Sequence, residues 1–202
     1  EKLLKAKGIG YLDCGVSGGI WGLDNGYGLM VGGTAANVKK AMPIFDALRP
    51  EGPRDEGFVH AGKVGAGHYT KMVHNGIEYG LMHAYAEGYE LLEKKDIVEN
   101  VPGAFKAWSR GTVVRSWLLD LTAGALAEPG ALQALAPHVS DSGEGRWTVD
   151  EAVRQGTPAP VIAASLMSRF DSQGRADTGN RLLALMRQAF GGHAVVKRDE
   201  TP

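Results

Sequence analysis

Residues 62–80 read GKVGAGHYTKMVHNGIEYG, and this stretch decides the fold. Lys71, Asn75 and Glu78 stand at i, i+4 and i+7, with Tyr79 next in line. On a helix that turns about 100° per residue, the first three fall within a narrow arc of one face. An amine, an amide and a carboxylate are stacked along one wall. Met72, Ile77, Leu81, Met82, Tyr85, Tyr89 and Leu92 carry the helical period onward, so the spacing predicts a single helix over residues 68–95. Such a length is more than twice the average and suits the spine of a helical domain.

Upstream of this helix the pattern is different. Ile9 to Val16 is a short apolar run that predicts a buried strand, closed by a turn at Ser17-Gly18-Gly19. Tyr27 to Val31 predicts a second strand, ended by Gly32-Gly33. Thr34 predicts the cap of a helix over residues 35–48. Phe58 to Ala61 predicts a third strand. Downstream everything reads as helix: residues 102–126 as one stretch, a shorter piece at 131–137, then 148–155, 158–170 and 177–190. Thr148 followed by Glu151 has the spacing of a capping box. SDSGEGRW, residues 140–147, reads as a loop, and GGHAVVKRDETP as a polar tail. The expected organisation is two parts divided near residue 64: strands and one helix over 1–64, and an all-helical part over 65–202.

Composition narrows the function classes. The 202 residues carry 22 basic and 23 acidic side chains, a net charge of −1, which gives no electrostatic case for nucleic acid or an anionic membrane surface. No apolar run approaches the roughly 18 residues of a membrane span. With Cys14 as the single cysteine, neither a disulfide framework nor a cysteine-rich metal site is expected, and a cytoplasmic globular protein is the default. His60, His68, His74, His83 and His138 fall into no metal-ligand spacing, so no metal is expected. Glycine is abundant, at 29 residues. Yet neither GGIWGLDNG nor GKVGAGH opens a βαβ unit of the dinucleotide-binding kind. A helix end followed at once by a strand is also an unusual way for a domain to begin. Both points lead to the expectation that part of a nucleotide-binding domain precedes residue 1.

Three groups of residues could carry chemistry. Lys71 can act as a general base if burial or a neighbouring charge lowers its pKa, with Asn75 orienting and Glu78 as a second proton donor. The same spacing also fits a solvated helix face. Ser17-Gly18-Gly19 can present amides and a hydroxyl to an anion, or be a plain tight turn. Arg187 and His193, in RQAFGGH, can clamp a phosphate or carboxylate, while Arg187 also suits a helix C-terminus.

Taken in order, DCGVSGG, GLMVGG, GAGHYTKMVHNGIEYG, GEGRWT and RQAFGGH resemble 6-phosphogluconate dehydrogenases, in particular the short bacterial type. The resemblance spans essentially the whole chain, and KMVHNGIEYG is its most specific part. It implies a mainly α fold: a helical C-terminal domain preceded by the last strands of a truncated Rossmann-like α/β domain. It implies oxidative decarboxylation of 6-phosphogluconate to ribulose 5-phosphate and CO2 with reduction of NAD or NADP, and a chain that is inactive alone because its cofactor site is largely missing. Lys71 is then the base that takes the 3-hydroxyl proton, and Glu78 the acid that protonates C1 of the enediol. Asn75, His74 and Ser17-Gly18-Gly19 hold the carboxylate and hydroxyls, and Tyr79 touches the phosphate. Arg146 and Thr148 in GEGRWT join the substrate site; the family often has lysine where Arg146 stands, and arginine keeps the charge. Arg169 and Arg175 both compete for a further phosphate contact. Arg187 and His193 reach the substrate of a partner subunit, which implies a homodimer or homotetramer.

Two other readings stay open. β-Hydroxyacid dehydrogenases of the 3-hydroxyisobutyrate or tartronate-semialdehyde type share the DxxVSGG turn and the GxGxxxKxxxN helix. They do not generally carry HNGIEYG or RxxFGGH. A non-catalytic helical oligomerisation module without a cofactor domain is the third reading.

Overall fold

The computed structural model of the chain describes residues 1–191 together with Ala194 and Val196. Its elements in order are α1 (Lys2–Lys5), β1 (Leu12–Ser17), a 3-10 turn (Gly19–Trp21), α2 (Gly22–Asn25), β2 (Gly28–Gly33) and α3 (Ala35–Leu48). A second 3-10 turn (Arg54–Glu56), β3 (Phe58–Gly62) and α4 (Ala66–Glu93) follow. The remainder is helical: α5 (Val101–Trp108), α6 (Trp117–Leu126), α7 (Glu144–Gln155), α8 (Pro160–Ser172) and α9 (Asp177–Gly191). The mainly α fold with a small Rossmann-like part is as the sequence implied.

The chain forms two compact units. The first comprises Glu1–Tyr79 and Gly143–Ile162, and the second Gly80–Ser142 and Ala163–Pro202. Helix α4 contributes its first half to one and its remainder to the other.

In the first unit the strands form one sheet in the order β1-β2-β3. β1 and β2 are antiparallel, whereas β2 and β3 are parallel and joined through α3, a βαβ unit. Alternation sends successive side chains of β1 to opposite faces. Leu12 and Cys14 join Leu29, Val31, Val38 and Phe45 in the core beneath α3. Asp13 and Gly15 face the other way, towards the start of α4. Thr34 caps α3 as expected, its hydroxyl oxygen accepting from the Asn37 amide at 3.3 Å.

In the second unit Phe105 is the centre of the core. Tyr85, Tyr89 and Trp108 surround its ring with centroids at 6.3, 5.5 and 5.2 Å. The single helix expected over 102–126 is two helices. Ser116 breaks it: its side chain caps α6 by accepting from the Leu119 amide at 3.0 Å. Tyr85 holds the break from α4, donating to the Val114 carbonyl at 2.6 Å. No helix forms over 131–137, where the chain makes turns.

Helix α7 also differs from expectation. It starts at Glu144 rather than Thr148, because Gly143 (φ 104°) turns the chain into it four residues earlier. Thr148 is therefore inside the helix and caps nothing.

Candidate active site

The first half of α4 carries the candidate wall. Lys71 Nζ lies 3.2 Å from His74 Nδ1, which is also 3.2 Å from Asn75 Oδ1 and 3.9 Å from Glu78 Oε2. The four side chains meet around one imidazole nitrogen. That nitrogen offers either one proton or one lone pair. Protonated, it donates to Asn75 and faces a neutral Lys71 amine. Bare, it accepts from the Lys71 ammonium. The state of Lys71 and the tautomer of His74 are thus coupled.

Burial pushes the Lys71 amine below the usual lysine range, while the carboxylates of Glu78 and Glu144 pull the other way. The burial comes from β1. Gly15 packs directly on the lysine stem, 3.1 Å from its Cγ to an ideal β-carbon position. Only a residue without a side chain allows the strand to come this close.

The same face of β1 leads on to the Ser17-Gly18-Gly19 turn. Gly18 (φ 155°) is hemmed in by the ring of Tyr27, whereas Gly19 (φ 54°) faces open space. The turn passes straight into the 3-10 segment, so it is a strand-to-helix junction rather than a hairpin.

Helix α7 crosses α4 on interlocking glycines. Gly76 receives the side chain of Thr148, and Gly145 receives the ring of Tyr79, which is 5 % exposed. The Thr148 hydroxyl shares its proton between the Met72 carbonyl at 2.9 Å and the Glu144 carbonyl at 2.8 Å. Thr148 thus ties the first turn of α7, which carries Arg146, to α4. These residues all belong to the first unit.

Arg169, Arg175 and Arg187 belong to the second. Arg169 donates to the Ser140 carbonyl at 2.8 Å, and Arg175 stacks 5.3 Å from the centre of the Phe170 ring. Arg187 is exposed on α9. His193 lies outside the described residues.

A cavity of about 460 Å³ opens on the opposite face of α4, lined by Tyr69, Met72, Val73, Gln155, Pro160 and neighbours. It contains none of Lys71, Asn75 or Glu78. Its walls are chiefly apolar, so the convergent titratable groups on the other face are the better candidate for chemistry. Among the described residues no group of three or more His, Cys, Asp or Glu is placed to hold a metal ion. No helix among them is long and apolar enough to cross a membrane.

Asp13 and Glu144 escaped the reading of motifs. Asp13 is only 4 % exposed and lies in a strand of apolar neighbours. A carboxylate in such a run is itself a signal, since buried acids need partners. Glu144 could not be found from spacing, because it reaches Lys71 only through the crossing of two helices.

Residues 67–200 match the family described as 6-phosphogluconate dehydrogenase, C-terminal domain, and residues 1–50 the NAD binding domain of 6-phosphogluconate dehydrogenase. The NAD(+)-dependent decarboxylating 6-phosphogluconate dehydrogenase of Haloferax volcanii is 44% identical over 191 residues. That alignment covers 94% of this chain, which spans 63% of the length of the relative. A 6-phosphogluconate dehydrogenase from Plasmodium falciparum, known with NADP+ and with 6-phosphogluconate, superposes with a TM-score of 0.74 at 28% identity. It covers 100% of this chain and 43% of its own. A Mycobacterium tuberculosis 3-hydroxyisobutyrate dehydrogenase has a TM-score of 0.61 at 22% identity, covering 87% of this chain and 59% of its own. At that identity the likeness is one of fold.

Residues 1–50, which match the NAD binding domain, hold the strands β1 and β2 and the helices α1, α2 and α3. They contain no G-x-G-x-x-G turn between a strand and a helix, so the residues present do not make a dinucleotide cradle on their own.

Proposed function

The chain belongs to the 6-phosphogluconate dehydrogenase family, and on that premise we propose that it is the substrate-handling part of an enzyme that oxidatively decarboxylates 6-phosphogluconate to ribulose 5-phosphate. NAD or NADP is the hydride acceptor in this reading. The observation that carries it is Lys71, half-buried against Gly15 with its amine pushed below the usual range, in contact with His74, which Asn75 and Glu78 also approach. A lysine in that condition gives up its proton more readily than a free lysine and can take another.

The proton handling then follows from the wall. Lys71 accepts the proton of the substrate 3-hydroxyl as C3 is oxidised. Loss of CO2 from the resulting β-keto acid leaves an enediolate, whose oxygen Lys71 protonates in turn. Glu78, two turns along the same face, delivers a proton to C1 while the enediol hydroxyl returns its proton to Lys71, leaving the ketone. His74 and Asn75 orient the hydroxyls, and the Ser17-Gly18-Gly19 turn offers its open side to the carboxylate. Tyr79 and Arg146 serve the phosphate end, with Thr148 fixing the turn that carries Arg146. Arg169 or Arg175 adds a further phosphate contact. A cytoplasmic location goes with a charged sugar-phosphate substrate.

Helix α9 leaves Leu182, Leu183, Leu185 and Met186 exposed beside Arg187. We read this stripe as the surface that meets a second copy, so that Arg187 and His193 complete the partner's site. Light scattering tests that part: a strictly monomeric intact protein would refute it.

The reaction itself is tested by supplying the intact protein with 6-phosphogluconate and NAD or NADP. Reduced nicotinamide and CO2 should appear together with ribulose 5-phosphate. Oxidation of a 3-hydroxy acid with 6-phosphogluconate left untouched would overturn the proposal. The 202-residue chain alone is expected to give no turnover.

A further inference from the structure

We infer that Asp13 is a positioning residue: from β1 it fixes the N-terminus of α4 and so sets where Lys71 stands against its substrate. The inference rests on the role proposed above for Lys71. Asp13 is buried, and its carboxylate spans the entry to the helix. Oδ1 accepts from the Gly65 amide at 2.5 Å and Oδ2 from the His68 amide at 2.9 Å. His68 Nδ1 stands a further 3.9 Å from Oδ2.

The first amides of a helix have no partner within it, and a glycine just before α4 offers no side-chain cap. Asp13 supplies that cap from more than fifty residues away in sequence, and its negative charge suits the positive end of the helix. The surroundings are shaped to the carboxylate. A β-carbon on Gly32 would collide with Oδ1, and one on Gly67 would lie 2.9 Å from Oδ2.

Two residues further along the same face of β1, Gly15 meets the stem of Lys71. The strand therefore grips the helix at two successive points, first its capped end and then the lysine one turn on. With the cap gone, the first turn of α4 has open amides immediately before Lys71, and the helix can shift along the strand. A displacement of about 1 Å at a reacting group can cost about 100-fold in rate.

Asp13→Ala and the milder Asp13→Asn, which keeps one acceptor oxygen, test this in the intact protein. In Asp13→Ala, kcat for 6-phosphogluconate should fall about 10- to 100-fold, with KM changed by less than about threefold. Asp13→Asn should fall between Asp13→Ala and wild type. A cap that matters only for stability would lower the melting temperature and leave kcat alone. If kcat of the folded variants equals that of an active wild type, the inference is overturned.

A second readout needs no turnover: the titration of the Lys71 ammonium, followed by NMR. The charges that act on Lys71 are Glu78 and Glu144, so loss of Asp13 works on it through position. Loosening should re-expose the amine and raise its midpoint. Should Asp13→Ala not fold, Asp13→Asn carries both measurements. If wild type leaves 6-phosphogluconate unoxidised, the functional proposal falls, and the titration alone decides: a raised midpoint sustains the inference, an unchanged one ends it.

Discussion

Gly15 of β1 lies directly against Lys71 of α4. A β-carbon on that glycine would fall onto the lysine Cβ, and the Gly67 carbonyl is 2.9 Å from the same point. The contact joins the sheet to the helix and makes the lysine half-buried. Chemistry and packing at this point are one feature.

Gly15→Ala is therefore predicted to push Lys71 out of register. Overpacking of this kind costs about 1–3 kcal/mol. Urea denaturation should show that loss, and turnover should fall beyond what the loss of folded protein explains. Wild-type stability together with wild-type turnover would mean that the strand and helix part easily and that the contact positions nothing.

Lys71→Met is predicted to abolish turnover and to keep the fold. It should also raise thermal stability at neutral pH. The sign follows from linkage. Burial disfavours the charged amine, so the folded pKa lies below that of the unfolded chain, and between the two values the unfolded state binds more protons. The burden on the native state is full below the folded value. It fades as pH rises towards the ordinary lysine value of about 10.4. The stability gap between Lys71→Met and wild type should accordingly shrink in alkali. A gap that stays constant with pH would show that Lys71 is not the cause, and near-normal turnover would end its assignment as the base.

Thr148→Val should lower stability by about 1 kcal/mol, the usual worth of a buried hydrogen bond. The side chain keeps its shape against Gly76 but loses the proton shared by the Met72 and Glu144 carbonyls. The melting temperature reads the effect. An unchanged value would mean that the glycine interlock alone holds α7 on α4.

Asp46→Asn is predicted to destabilise the end of α3 near neutral pH and to have no effect in strong acid. Asp46 accepts from Arg54 Nε at 2.9 Å and Nη2 at 2.7 Å, and from Arg49 Nε at 3.1 Å. Arg54 first, and then Arg49, hold its carboxyl below the usual range. A depressed carboxyl adds stability above the unfolded value and loses it as pH falls through the folded one. The group is solvent-exposed, so the effect should be small and should weaken with salt. An equal loss at neutral and acid pH would point to shape rather than charge.

Much of this was legible in the sequence because it is local. The period of Met72 to Leu92 marks α4, Thr34 marks the start of α3, and the arc of Lys71, Asn75 and Glu78 depends only on helical geometry. The misreadings arise where an apparent local signal is overridden. Residues 102–126 keep an apolar pattern through a break that Ser116 and Tyr85 make together, and Tyr85 is distant in sequence. Thr148 has the spacing of a cap, but Gly143 starts the helix before it.

By itself, the sequence determined the helical spine, the order of strands before it, and the identity of the groups along its wall, since each follows from spacing within one element. Only the tertiary structure decided that Lys71 is half-buried, that Glu144 acts on it, and that Asp13 caps the helix which carries it. Those properties arise where β1, α4 and α7 meet. A pKa or a cap made across that meeting depends on distances in space, which spacing along a single element does not contain.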